Sequence, residues 1–171
     1  MRLFIAIPLN DEMKLHVRKV QDAFRQFHVH GNFTKQENLH LTLAFIGEYG
    51  DPDAVMEALE GVSFTPFRIT MDAVGSFEKL WWTGFSESEE LEKLAGKVRR
   101  ALSDAGIPFD RKKFKAHTTI LRKPEYAPGS SLGEIPAGPT DMLVTSFSLM
   151  SSARGKNGMI YTELGRVEAL R

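Results

Sequence analysis

A chain of 171 residues with 42% hydrophobic residues has the length of one domain and enough apolar material for its core. Its 22 basic and 22 acidic residues cancel, which excludes coating long stretches of nucleic acid by charge alone; a nucleic-acid substrate would have to be gripped locally. The absence of cysteine excludes disulfides, thiolate nucleophiles and cysteine-bearing metal sites.

In chain order, Arg2 to Ile7 is an apolar run ended by Pro8 and predicts a buried strand. The run from Leu3 to Leu9 is too short, and too soon followed by Asp11 and Glu12, for a signal peptide, and no later stretch is long and apolar enough to span a bilayer. The chain therefore reads as cytoplasmic, without a membrane partner. Asn10 or Asp11 caps a helix whose stripe is Met13, Val17, Val20, Phe24 and Phe27, with His16 on the opposite, surface flank. After a break at Gly31-Asn32, Leu39, Leu41, Leu43 and Phe45 alternate with His40, Thr42 and Ala44, the period of a strand with one buried face.

Asp51-Pro52 starts a short helix through Leu59, and Phe67 to Val74 and Leu80 to Phe85 read as strands. Ser86 and Glu89 match a capping box for a helix carrying Leu91, Leu94, Val98, Ala101, Leu102 and Ala105, ended by Gly106 and Pro108. A strand from about Ala116 to Leu121 comes next. Lys123 to Thr140, with four prolines and three glycines, predicts a surface loop. Leu143 to Ser151 and Met159 to Leu164 read as two strands joined across Gly155-Lys156-Asn157-Gly158, where Asn-Gly favours a hairpin.

Two strands carry the same phrase: His40-Leu41-Thr42-Leu43 and His117-Thr118-Thr119-Ile120. Alternate side chains of a strand share a face, so each phrase aims an imidazole and a threonine hydroxyl the same way. His117 lies 77 residues after His40, and the same offset takes Leu3 to Leu80, Phe4 to Trp81 and Thr42 to Thr119. Each half then reads strand, helix, histidine strand. An approximate two-fold axis would set the histidine strands opposite each other across a groove.

Two imidazoles titrating near neutral pH can move protons in opposite directions, one activating a nucleophile and the other protonating a leaving oxygen. In-line displacement at phosphorus needs groups on both sides of the phosphate and donors to its equatorial oxygens. A phosphodiester between His40 and His117, with Thr42 and Thr119 donating to its non-bridging oxygens, meets those needs with neither metal nor cofactor. His28-Val29-His30 lacks a carboxylate or third histidine to complete a metal site and reads as a helix-end or loop pair.

Over nearly its whole length the chain resembles the 2H phosphoesterases, and most closely the RNA 2′,3′-cyclic phosphodiesterases once described as bacterial 2′-5′ RNA ligases. The resemblance rests on Arg2 to Ala6, on Asn38 to Glu48, on the second phrase through Arg122, and on Ser148 to Ser152 before Gly158 and Tyr161. It implies an α+β fold over residues 1–171 as a single bilobal domain, with two antiparallel sheets lining a central cleft and helices outside. It also implies hydrolysis of a terminal 2′,3′-cyclic phosphate on RNA to a 2′-phosphate, with His40 the proton donor to the departing 3′ oxygen and His117 the acceptor from water. Ligation through a 2′-5′ bond would be a reverse-type reaction, and the partners would be RNA 3′ ends or small nucleotides bearing a cyclic phosphate. A small nucleotide-derived cyclic phosphate is the alternative substrate, and a binding module without turnover the alternative function. Nothing calls for a second subunit, and a monomer is expected.

Three further features have two readings each. Arg122 resembles the family's arginine after the second phrase and would bind phosphate, yet strict alternation puts it opposite His117 unless a bulge turns it inward. Phe4 and Trp81 would stack on a base or belong to the core. The basic run Arg111-Lys112-Lys113 with Lys115 would attract RNA phosphates or form a solvated loop. Thr118 stands where the family more often has an apolar spacer; it points away from the cleft.

Overall fold

The computed structural model describes residues 1–171 and contains three helices and nine strands. β1 (Arg2–Pro8) is buried from Leu3 to Ile7 because it lies inside a sheet of order β3-β1-β8-β9, all antiparallel, with β3 (His40–Glu48), β8 (Ser146–Gly155) and β9 (Gly158–Glu168). The second antiparallel sheet has the order β2-β6-β5-β4-β7, formed by β2 (Val29–Phe33), β4 (Phe67–Phe77), β5 (Leu80–Phe85), β6 (His117–Tyr126) and β7 (Thr140–Val144).

Each half threads a helix between an inner strand and its histidine strand. α1 (Asp11–Gln26) separates β1 from β3, and α3 (Glu89–Asp104) separates β5 from β6. The Asn10 side chain caps α1 by accepting the Met13 N–H at 2.8 Å, and Met13, Val17, Val20 and Phe24 form its buried stripe. α2 (Pro52–Glu60) starts at Asp51 as its Asp-Pro pair predicts. One cluster of 32 buried residues fills the molecule, drawing Leu3 and Ile5 from the first sheet, Ile69 and Ile120 from the second, and Val20 and Leu94 from the long helices. No helix is long and apolar enough to cross a membrane.

Several local expectations are corrected. The Gly31-Asn32 break lies inside β2: Gly31 (φ +150) occupies a register shift where an added Cβ would stand 2.9 Å from the carbonyl oxygens of Arg122 and Lys123, so only glycine lets β2 close on β6. The cap of α3 is Ser88, which accepts the Leu91 N–H at 3.1 Å, while the Ser86 hydroxyl bonds Asp72. β6 continues through Pro124, and the stretch read as one strand from Leu143 to Ser151 is β7 and β8, which belong to different sheets. His16 is half-buried, with the backbone of Ala137 against it, and so does not lie on an open surface flank.

Candidate active site

The two phrases begin their strands at equivalent points, and the local geometry is copied between them. The Nδ1 of His40 lies 2.7 Å from the Asn38 carbonyl, and the Nδ1 of His117 lies 2.7 Å from the Lys115 carbonyl. A carbonyl only accepts, so each Nδ1 carries the hydrogen and each Nε2 is left for substrate. His40, Thr42, His117, Thr119 and Arg122 all line one cavity of about 670 Å³, together with Phe4, Thr34, Asn38, Phe45, Leu80, Asp110, Lys112 and Tyr161 among others.

A β-bulge in each histidine strand sets the direction of the side chains beyond the phrase. In β3, Ala6 pairs with Thr42 and Ile5 with Ala44, so Leu43 is the extra residue; in β6, Trp82 pairs with Thr119 and Trp81 with Leu121, so Ile120 is the extra residue. Leu43 and Ala44 are consequently buried in succession, as are Ile120 and Leu121. The reversal brings Arg122 to the cavity side, resolving its two readings in favour of the inward one. It also turns Phe45, the fourth residue of the expected buried set, to the cavity, where it is 36% exposed with the Arg2 guanidinium 5.3 Å from its ring centre.

The bulges also correct the pairing of the halves. Residues opposite each other in a ladder share a face, so Arg122 pairs with Leu80, Thr119 with Trp82 and His117 with Gly84 on the cavity side of the second sheet. Trp81 faces the other way, packing on Phe24 at 4.9 Å and donating its indole N–H to the Tyr126 hydroxyl at 2.8 Å. Phe45 pairs with Phe4 just as Arg122 pairs with Leu80, so the structural counterpart of Phe4 is Leu80 and the offset between the inner strands is 76 residues. One residue of slip moves a side chain to the opposite face, which removes Trp81 from the cleft. Phe4 does reach the cavity but is only 4% exposed, wedged against the His40 ring at 4.8 Å and Tyr161 at 5.1 Å. It is a wall for the histidine and leaves no open face for a base.

The two histidines sit in different surroundings. His40 is packed by Phe4 and, edge-on at 5.3 Å, by Tyr161, whereas His117 has Phe77 at 5.9 Å. Burial holds the His40 pKa below the ordinary histidine value; its bond to the Asn38 carbonyl opposes this, and the charges of His117 and Arg122 add to the lowering. Asn38 is itself fixed by its side-chain amide, which donates to the Met159 carbonyl at 2.9 Å and ties the β8–β9 hairpin to His40. Tyr161 and Asn38 line the cavity although the His-x-Thr phrase alone does not single them out; both belong to the stretches that carry the family resemblance. Of the basic run, Lys112 lines the cavity. His28 adopts a left-handed conformation (φ 62) at the end of α1, and His30 lies exposed in β2.

A phosphodiester placed between the Nε2 atoms would meet an imidazole on each side, two hydroxyl donors and a guanidinium, the set that acid-base displacement at phosphorus requires. The chain matches the family model of the 2′-5′ RNA ligase superfamily over residues 9–156. The RNA 2′,3′-cyclic phosphodiesterase of Archaeoglobus fulgidus is 34% identical, covering 96% of this chain and 98% of that protein, and the one from Thermotoga maritima is 30% identical, covering 96% and 93%. Among solved structures, apo LigT of Escherichia coli superposes with a TM-score of 0.84 at 26% identity, covering 99% of this chain and 98% of LigT. The chain belongs to the 2′-5′ RNA ligase superfamily, as an enzyme of the RNA 2′,3′-cyclic phosphodiesterase group within the 2H phosphoesterases.

Proposed function

We propose that the cleft hydrolyses a terminal 2′,3′-cyclic phosphate on RNA to a 2′-phosphate by two-histidine acid-base catalysis without a metal. The observation that carries this reading is the pair of imidazoles in one cavity, each with Nδ1 clamped by a carbonyl and Nε2 free. His117 takes a proton from water as the water oxygen bonds to phosphorus, and His40 gives a proton to the 3′ oxygen as its bond to phosphorus breaks. Thr42, Thr119 and Arg122 donate to the non-bridging oxygens, on which negative charge grows in the transition state. With a ribose 5′-hydroxyl in the place of water the same transfers give a 2′-5′ linkage, and the histidines exchange roles when the 3′-hydroxyl attacks that linkage and expels the 5′ oxygen.

The cavity, at about 670 Å³, has room for a nucleotide as well as its phosphate, which supports an RNA 3′ end as substrate. One chain supplies both halves of the site, so a monomer suffices. The test is incubation in EDTA with a short RNA ending in a 2′,3′-cyclic phosphate, alongside the matching cyclic mononucleotide, and then identification of the terminal phosphate. Turnover of the RNA to a 2′-phosphate is expected; no turnover of either probe would sink the reading. Separate His40→Ala and His117→Ala variants are each expected to lose roughly 10²- to 10⁴-fold in kcat with the fold retained.

A further inference from the structure

A bulge costs a strand part of its ladder, and buried backbone groups must find partners elsewhere. Here helix side chains supply partners, at Leu43 from α3 and at Ile120 from α1 beside the Thr34 N–H, which donates to the same carbonyl at 3.0 Å. Arg99, on α3, donates from Nε to the Leu43 carbonyl at 3.1 Å and from Nη1 to the Lys112 carbonyl at 2.8 Å. Gln21, on α1, donates from Nε2 to the Ile120 carbonyl at 3.0 Å and to the Thr34 carbonyl at 2.9 Å.

The two sets are one arrangement used twice. Arg99 lies 78 residues after Gln21, Lys112 lies 78 after Thr34, and Ile120 lies 77 after Leu43. The arrangement is also crossed: the helix after β1 holds the bulge of β6, and the helix after β5 holds the bulge of β3. Gln21 is 1% exposed within the apolar stripe of α1, a place where an amide is tolerated only with its hydrogen bonds made. They are made: its Oε1 accepts from Gln36 Nε2 at 3.1 Å, and Gln36 opens the turn whose last residue, Asn38, supplies the carbonyl under His40.

We propose that Gln21 and Arg99 are positioning residues of the two-histidine site, each holding, from the helix of one half, the bulge in the histidine strand of the other. Each bulge lies directly after the phosphate-facing threonine and just before the position that turns inward, Arg122 in β6 and Phe45 in β3. The locked carbonyl therefore sets where the threonine hydroxyl and the inward-turning side chain stand relative to the histidines. Gln21 reaches both strands, through Ile120 directly and through Gln36 to the turn before His40.

This inference rests on the catalytic reading above, and its test separates the two. Gln21→Met and Arg99→Met keep most of the side-chain volume and remove the donors; Arg99→Lys keeps one donor. With wild type turning over the cyclic-phosphate RNA, both methionine variants are expected to lose roughly ten- to hundredfold in kcat/KM at temperatures where they remain folded, and Arg99→Lys is expected to recover most of the loss. Backbone amide signals should move across the halves, at Thr119 in Gln21→Met and at Thr42 in Arg99→Met. Gln21→Asn, whose amide falls one carbon short of Ile120, gives the same readouts should Gln21→Met fail to fold. Activity within twofold of wild type, or amide changes confined to the mutated helix, overturns the proposal. Should the wild type turn over neither probe, the catalytic reading fails and the amide shifts alone decide whether the locks set the two strands.

Discussion

The Thr118 hydroxyl donates to the backbone carbonyl of His40 at 3.0 Å, tying the two histidine strands together beside the two imidazoles. Pro8, opposite His40 in β1, has no N–H to give that carbonyl. The spacer of the second phrase thus points away from the cleft and is 1% exposed, but it is a fastener between the strands. Thr118→Val, nearly the same shape without the donor, is expected to cost about 1–3 kcal/mol in urea unfolding. A stability unchanged from wild type would show that the hydroxyl does not hold the strands.

Arg122 faces both the cavity and, through its charge, His40. Arg122→Gln is expected to raise KM for the cyclic-phosphate RNA about tenfold, a loss of the size expected for a charge-assisted hydrogen bond to phosphate. Because one of the cations that disfavour the imidazolium is gone, the His40 pKa should rise in the same variant. Steady-state kinetics and an NMR titration of the imidazole check the two effects, and a variant in which neither moved would return Arg122 to the role of an exposed strand residue.

The lowered His40 pKa also gives a pH dependence of known sign. Below the ordinary histidine value near 6.5, the unfolded chain takes up a proton that folded His40 resists. Stability therefore rises with pH through that window and falls on acidification. His16, desolvated on α1, contributes with the same sign, so His40→Ala should flatten only part of the dependence of Tm on pH. With His40 as proton donor, kcat/KM should decline as pH rises through a value on the acid side of 6.5. The corresponding limb of kcat should lie higher, since a bound phosphate anion favours the charged imidazole.

Trp81 separates packing from binding. Trp81→Ala is expected to cost about 3–5 kcal/mol by opening a hole against Phe24, while KM stays within twofold of wild type. A raised KM in the folded variant would mean that the ring contacts substrate after all.

Much of this is legible in the sequence because the strand period is short and its signals are local. The His-x-Thr spacing puts His40 and Thr42, and His117 and Thr119, on common faces, and their strands do begin at those histidines. The Asn10 and Asp51 caps are readable from neighbouring residues and form accordingly. What the sequence misreads at Phe45 and leaves open at Arg122 and Trp81 has one cause, an extra residue that no local pattern announces. The bulges at Leu43 and Ile120 move Phe45 and Arg122 to the cavity, and a one-residue change of offset carries Trp81 out of it. β2 escapes a local reading because Gly31 and Asn32 are turn formers by composition, and only contact with β6 makes them a strand. Gln21 gives no warning either: on a helical wheel it is one polar residue in an apolar stripe, and its carbonyl partner Ile120 is 99 residues away.

The crossing of the two helices has a consequence for how the chain can be divided. Cut between β4 and β5, it would yield two pieces, each holding a helix whose polar anchor fits a strand in the other piece. Neither would be a lobe complete in itself. Both sheets also take strands from both pieces, so each piece would leave open the backbone ladders that the other completes.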